Sequence, residues 1–243
     1  MLLGRLLLFC AAVMSFSSLD AESFRVVLEP RHRTALSAEI ISTVTTIPKR
    51  MGEMFKKNEV LMTLDDQVYK SNHDKMIAVL ERAKAELSAQ KRLYADKAAS
   101  LLELREAEAK LAAARADLTQ ATKELKACTL MAPYDGEVQD VHVQEYERVE
   151  PGKPLMDILD AQILVAKLLV PSRVGLSIKV GQKLKISIPE VQGTYTAVVT
   201  HVAPGIDPSS SLIKIDSEIN NKDRSLRSGM IGALEITSEE ASP

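Results

Sequence analysis

The hydrophobic rhythm of the chain changes twice. Between Tyr69 and Cys128 apolar positions recur at alternating spacings of three and four residues. In the first half of that stretch Tyr69, Met76, Ala83 and Gln90 form one column and His73, Leu80, Leu87 and Tyr94 the other. In the second half Leu104, Leu111, Leu118 and Leu125 run beside Ala107, Ala114, Ala121 and Cys128. A stripe of this period predicts two helices that face each other along a left-handed coiled-coil seam, with alanines letting the backbones approach. Glycine and proline each occur ten times in the 243 residues, yet neither appears in the 80 positions from Glu53 to Ala132. Outside the stretch the pattern becomes short and β-like, in Ala38–Val44 and Val60–Leu64 before it and from Ala132 to Val138 after it. Two similar endings, Val60-Leu61-Met62-Thr63-Leu64-Asp65 and Pro154-Leu155-Met156-Asp157-Ile158-Leu159-Asp160, bracket the helical part. The pattern thus predicts a helical pair inserted into one small β domain.

The break between the helices falls in Asp96-Lys97-Ala98-Ala99-Ser100, because Ser100 and Glu103 have the S-x-x-E spacing of a capping box. Asp65 or Asp66 can cap the first helix. Each helix then has about 28 residues, a rod of roughly 40 Å, which buries little by itself and must be anchored elsewhere. Its use is reach. In the β parts, Asp135-Gly136 is a tight-turn signal that places Gly136 at positive φ, and Val149 to Leu155 supplies another turn around Gly152. Residues 161–237 hold several short β-rich runs, among them Leu184–Ile188, Tyr195–Val199 and Ile213–Asp216, separated by Gly193, Pro204-Gly205 and Asp207-Pro208. That layout predicts a small barrel or sandwich.

Composition narrows the functional classes. A net charge of −2, five tyrosines, four phenylalanines and no tryptophan give no footprint for nucleic acid. The start of the chain, Arg5 followed by the apolar run Leu6 to Met14 and small residues through Ala21, predicts a secretory signal peptide over residues 1–21. Its removal would leave Cys128 as the sole cysteine, read as a small buried apolar residue. His32, His73, His142 and His201 are scattered without ligand spacing, so no metal site, catalytic constellation or cofactor is expected. Gly175 to Lys183 has the wrong spacing for a phosphate loop and reads as a strand turn. Asp96-Lys97-Ala98 matches the tripeptide that carries the modified lysine in lipoyl carriers, but here it sits on a helix–helix loop.

The segments Ala132–Val138 and Val149–Leu155 resemble the second half of the lipoyl-like domain of periplasmic membrane fusion proteins of the HlyD/RND type. These are the adaptors of tripartite efflux pumps and related exporters. Gly52 through Asp66 is similar to the first half, although such proteins usually have glycine where Asn58 and Glu39 stand. Leu164–Pro171, with Val180-Gly181-Gln182, resembles the opening of the family's β-barrel, and Ile219–Asp223 with Leu226–Gly232 its closing turn and last strand, which makes Gly181 and Gly229 turn residues.

The resemblance implies an elongated α+β chain with a split lipoyl-like β-sandwich (36–65 and 132–160), an antiparallel coiled-coil α-hairpin (66–131) and a β-barrel (161–238) joined by the strand at 24–35. It implies a non-enzymatic adaptor in the periplasm, associated with the inner membrane. Its partners would be an inner-membrane transporter of RND or ABC type, an outer-membrane channel, and other copies of itself in a ring. The family's tip pattern falls on Leu93, Ser100 and Leu104, with its arginine position on Ala89 and with Lys91 and Arg92 close by. An acyl or biotin carrier modified on Lys97 and an adaptor for protein secretion are the alternatives.

Overall fold

The computed structural model describes residues 22–236; the expected signal peptide, 1–21, lies outside them. In chain order the first strands are β1 (Glu22–Ser37), β2 (Ser42–Thr46), β3 (Met54–Phe55) and β4 (Val60–Leu64). Two long helices follow, α1 (Gln67–Ala95) and α2 (Leu101–Ala127). After them come β5 (Thr129–Met131), β6 (Gly136–Val141), β7 (Arg148–Val149) and β8 (Pro154–Pro171). The remainder is α3 (Ser172–Gly175), β9 (Lys183–Ile188), a 3₁₀ turn (Pro189–Val191), β10 (Gly193–Val202), β11 (Leu212–Asn220) and β12 (Ile231–Ile236). The chain divides into two compact units: Leu28–Ala166 with Glu218–Met230, and the remaining segments up to Val27, Lys167–Ser217 and from Ile231.

In the first unit, strands from opposite sides of the helical pair hydrogen-bond to one another. β3 pairs with β6 (Met54 with Glu137, Phe55 with Gly136), β4 with β5 (Val60 with Met131), and β2 with β7 (Ser42 with Val149). The β6 strand also pairs with the start of β8, Glu137 lying opposite Leu159. Period-2 alternation points Val44, Phe55, Leu61, Leu64, Val138, Val149, Met156 and Ile158 into one shared core. Cys128, at the end of α2, lies in that core as well. Burial, with Asp66 and Asp65 nearby, pushes its thiol up to about 11, and the S–H faces the Glu124 carbonyl at 3.6 Å. Tyr69 also belongs to this base rather than to the interhelical seam: its ring packs on the β core and its hydroxyl donates to the Ile41 carbonyl at 2.7 Å. At the start of α1 the capping expectation is met by Asp65 and not by Asp66. Asp66 holds the N-cap position without a side-chain bond, while the Asp65 carboxylate accepts the Gln67 N–H at 3.1 Å.

The turn at Gly136 has a different physical cause from the one expected. The positive-φ glycines among the described residues are Gly52, Gly152 (+87°), Gly181 (+88°) and Gly229 (+92°), and Gly136 is not among them. Gly136 opens strand β6, where a Cβ would stand 2.4 Å from the Leu159 carbonyl oxygen and 3.0 Å from the Phe55 ring. Close approach of a neighbouring backbone, not left-handed geometry, requires glycine there. Asn58 takes φ +65° in its turn, a conformation asparagine tolerates, and its N–H donates to the Ala132 carbonyl at 2.8 Å.

The second unit carries the barrel. β9 and β10 form a hairpin (Ile188 opposite Gly193, Lys183 opposite Val198), β12 joins β9, and the first residues of β1 pair with β12 (Glu22 with Ile236, Val27 with Ile231). Six strands in the order β1, β12, β9, β10, β11, β8 close on themselves through a β1–β8 pairing. Alternate residues such as Val26, Leu184, Ile186, Ile188, Val199 and Ile215 fill the interior.

Candidate functional site: the hairpin tip

The two helices lie antiparallel and pack through a thin seam. Its buried members are Ala83, Leu87, Ala107, Leu111 and Ala114, with Leu80 and Leu104 half-buried against them. At about 1.5 Å per residue, the 29 residues of α1 reach about 43 Å. On the exposed side Lys110 of α2 pairs with Glu86 of α1, and this ion pair holds the Glu86 carboxyl below its ordinary value. His73 is half-buried with Nδ1 3.4 Å from Asp74 Oδ1. No group of three metal-ligating side chains occurs among the described residues.

The seam does not extend to the end. Tyr94, expected on the stripe, is exposed, because the chain leaves α1 at Ala95 and α2 begins only at Leu101, so the last turn of α1 has no facing leucine to pack on. What closes the tip is local hydrogen bonding. The Ala98 N–H bonds back to the Leu93 carbonyl (2.7 Å) and the Lys97 N–H to the Tyr94 carbonyl (3.0 Å), with Lys97 at φ +58°. These are the two bonds of a Schellman stop, made here with lysine where glycine is usual. Three residues later Ser100 starts α2: its Oγ accepts the Glu103 N–H at 3.2 Å, and its own N–H donates to Glu103 Oε2 at 2.7 Å. The capping box read from the sequence is therefore formed. The Ser100 N–H and then its hydroxyl hold the Glu103 carboxyl below its usual range.

This rigid turn presents apolar side chains to solvent. Leu93 (43%), Tyr94 (42%), Leu101 (54%) and Leu102 (68%) are all exposed within one turn of the tip. Arg92 is exposed in the last turn of α1 beside Leu93. Of the residues singled out by sequence, Leu93 and Arg92 thus stand free at the end of the rod. Ser100 is engaged as a cap, and Leu104 turns toward the seam. Tyr94, Leu101 and Leu102 were missed as surface residues. The Leu101-Leu102 doublet at a capped helix start was the available signal, since a doublet cannot place both side chains on one narrow stripe. Lys97 is held by its backbone role in the Schellman stop, on a helix–helix turn rather than a β-turn.

Residues 166–240 match the CusB-like, beta-barrel domain family. The nodulation protein NolF of Rhizobium meliloti is 25% identical over 240 residues, covering 90% of this chain and 65% of that protein. An uncharacterized protein of Haemophilus influenzae is 24% identical over 219 residues, 86% of this chain and 56% of that one. The chain thus spans less than two thirds of the length of these curated relatives. Among solved structures, a MacA–MexA chimera containing the Pseudomonas aeruginosa MexA α-hairpin domain superposes with TM-score 0.74 at 21% identity, over 89% of this chain and 79% of that one. A membrane fusion protein from Streptococcus pneumoniae superposes with TM-score 0.67 at 15% identity, over 90% and 99%. The likeness to membrane fusion proteins read from the sequence is borne out, and so is the α+β class with a closed barrel.

Proposed function

We propose that the chain is a non-enzymatic periplasmic adaptor, which joins an inner-membrane transporter to an outer-membrane exit duct and supports export of small molecules. The observation that carries this reading is the exposed apolar cluster Leu93, Tyr94, Leu101 and Leu102 at the end of a rod about 40 Å long, on a turn fixed by two capping motifs. A rod that buries only a narrow seam has no use for four exposed apolar side chains at its far end unless something covers them. Helical ends of a duct suit that surface, since helix-on-helix packing buries paired leucines. The split β domain at the base is read as lipoyl-like, and several copies form a ring whose hairpins together make a tube toward the duct. The barrel unit, similar to the CusB-like domain, is the candidate transporter side.

The test replaces the native gene with the Leu93→Asp/Leu102→Asp double variant and measures dye accumulation and drug susceptibility. Export should be lost while circular dichroism shows unchanged helix content, because both side chains are already exposed. Unchanged export by a normally expressed double variant would refute docking through the tip.

A further inference from the structure

Gly175 to Lys183 lacks the spacing of a phosphate loop, yet the segment takes a definite form. It leaves α3 at Gly175 and runs to the start of β9, held at each step by the backbone. The Leu176 N–H bonds to the Ser172 carbonyl, the Ser177 hydroxyl to the Val174 carbonyl at 2.7 Å, and the Gln182 N–H to the Lys179 carbonyl at 3.1 Å. Lys179 N–H also donates to Gln182 Oε1, and the Gly181 N–H reaches the Val199 carbonyl of β10 at 2.8 Å. Ile178 is buried and anchors the middle of the loop. On either side of that anchor Leu176 and Val180 are exposed at 72% and 65%. The register of the β9–β10 hairpin sets Lys183 opposite Val198, so the two point to the same outer face, and both are exposed.

Charge within this stretch of the chain has one sign. From Ala161 to Pro189 there is no aspartate or glutamate, while Lys179, Lys183 and Lys185 are all exposed. Two protruding aliphatic residues on a pinned loop, surrounded by lysines and no acid within the segment, match the interfacial zone of a bilayer. There the aliphatic tips enter the acyl boundary and the ammonium groups meet anionic headgroups. We infer that the Leu176–Lys183 loop, with Val198, is a contact surface for an anionic membrane. This inference is independent of the hairpin tip: it concerns the barrel unit alone and holds or fails whether or not Leu93 and Leu102 dock onto a duct.

The full chain contains no tryptophan, so Val180→Trp creates a single emitter at the site. Sedimentation alone would not decide, because the apolar run Leu6 to Met14 can hold a vesicle by itself. Vesicles of phosphatidylcholine with phosphatidylglycerol should shift the emission to the blue, and added salt should reverse the shift. Adding Lys179→Glu and Lys183→Glu should weaken the transition by at least about tenfold, since each basic residue near an anionic surface contributes several-fold to binding. Emission that stays unshifted with anionic vesicles, or shifts equally with pure phosphatidylcholine or in the charge-reversed protein, overturns the inference. Emission that responds to a polyglutamate peptide but not to vesicles assigns the face to an acidic protein and overturns it as well.

Discussion

The β unit at the base and the helical rod it carries are held together by different physics. The base encloses fifteen buried residues in one core, among them Leu61, Met62, Leu155, Met156 and Ile158 with no exposed surface at all. Its strands come from both sides of the insertion, so each half completes the other. The two helices of the rod bury six residues, four of them alanine, and even Leu87 and Leu111 keep some solvent contact. At about 25 cal/mol per Å² of apolar surface removed from water, the base gains far more from burial than the rod does. The rod relies instead on helix-favouring composition, on caps at the tip and on Tyr69 and Cys128 tying it to the core below. The apolar residues exposed at its tip add nothing to that burial.

The sharpest way to break this contrast is Gly136→Val in the base. The new Cβ would stand 2.4 Å from the Leu159 carbonyl oxygen, and a paired strand backbone cannot move aside cheaply. A loss of about 3 kcal/mol or more is expected, at the upper end of overpacking costs. It would be read from denaturant melting and from the yield of soluble protein. A variant that melts like the parent would show that the base is not the rigid partner.

Much of this organisation was legible in the chain, and the misses share a cause. The run without glycine or proline, the leucine and alanine columns and the Ser100–Glu103 spacing are local signals, and the structure shows two paired helices and a formed capping box. What sequence could not show was contact between distant segments. Gly136 was read as a left-handed turn residue because Asp-Gly is a local motif, whereas its requirement comes from Leu159, which no spacing rule brings beside it. Tyr94 kept the right period but lost its partner through the position of the turn, and Tyr69 kept the period but was claimed by the β core. Leu101 and Leu102 emerged as tip residues only once the start of α2 was fixed in space.

A middle-sized effect should come from Leu111→Ala on the seam. Removing the largest buried side chain of α2 should cost about 2 kcal/mol, toward the low end for core leucines because the site is thin and can relax. The comparison predicts that this loss stays in the rod: hydrogen exchange of α1 and α2 amides should accelerate while the strands of the base keep their protection. Ser100→Ala should act in the same direction by about 1 kcal/mol. Its effect depends on pH through Glu103, whose native carboxyl lies below the ordinary 4.5 because Ser100 hydrogen-bonds its charged form. That support is present above 4.5 and is lost as pH falls through the lowered native value, so tip protection should drop in acid in the parent and only somewhat less in Ser100→Ala, which loses the hydroxyl but keeps the backbone N–H that is the larger cause. Exchange in the base that quickens as much as in the rod would mean the two regions unfold as one.

The smallest effect is expected from Lys110→Ala, which removes an ion pair between the helices. Lys110 and Glu86 have side chains 60% and 36% exposed, so water and salt screen the attraction, and holding two long side chains in one geometry opposes it further. Melting temperature and α1 exchange should therefore stay close to the parent values, and adding salt to the parent should change little. If Lys110→Ala instead opens the rod as strongly as Leu111→Ala, the cohesion of the hairpin is electrostatic. Its stability would then follow ionic strength, and the division between a base held by burial and a rod held by packing and caps would have to be redrawn.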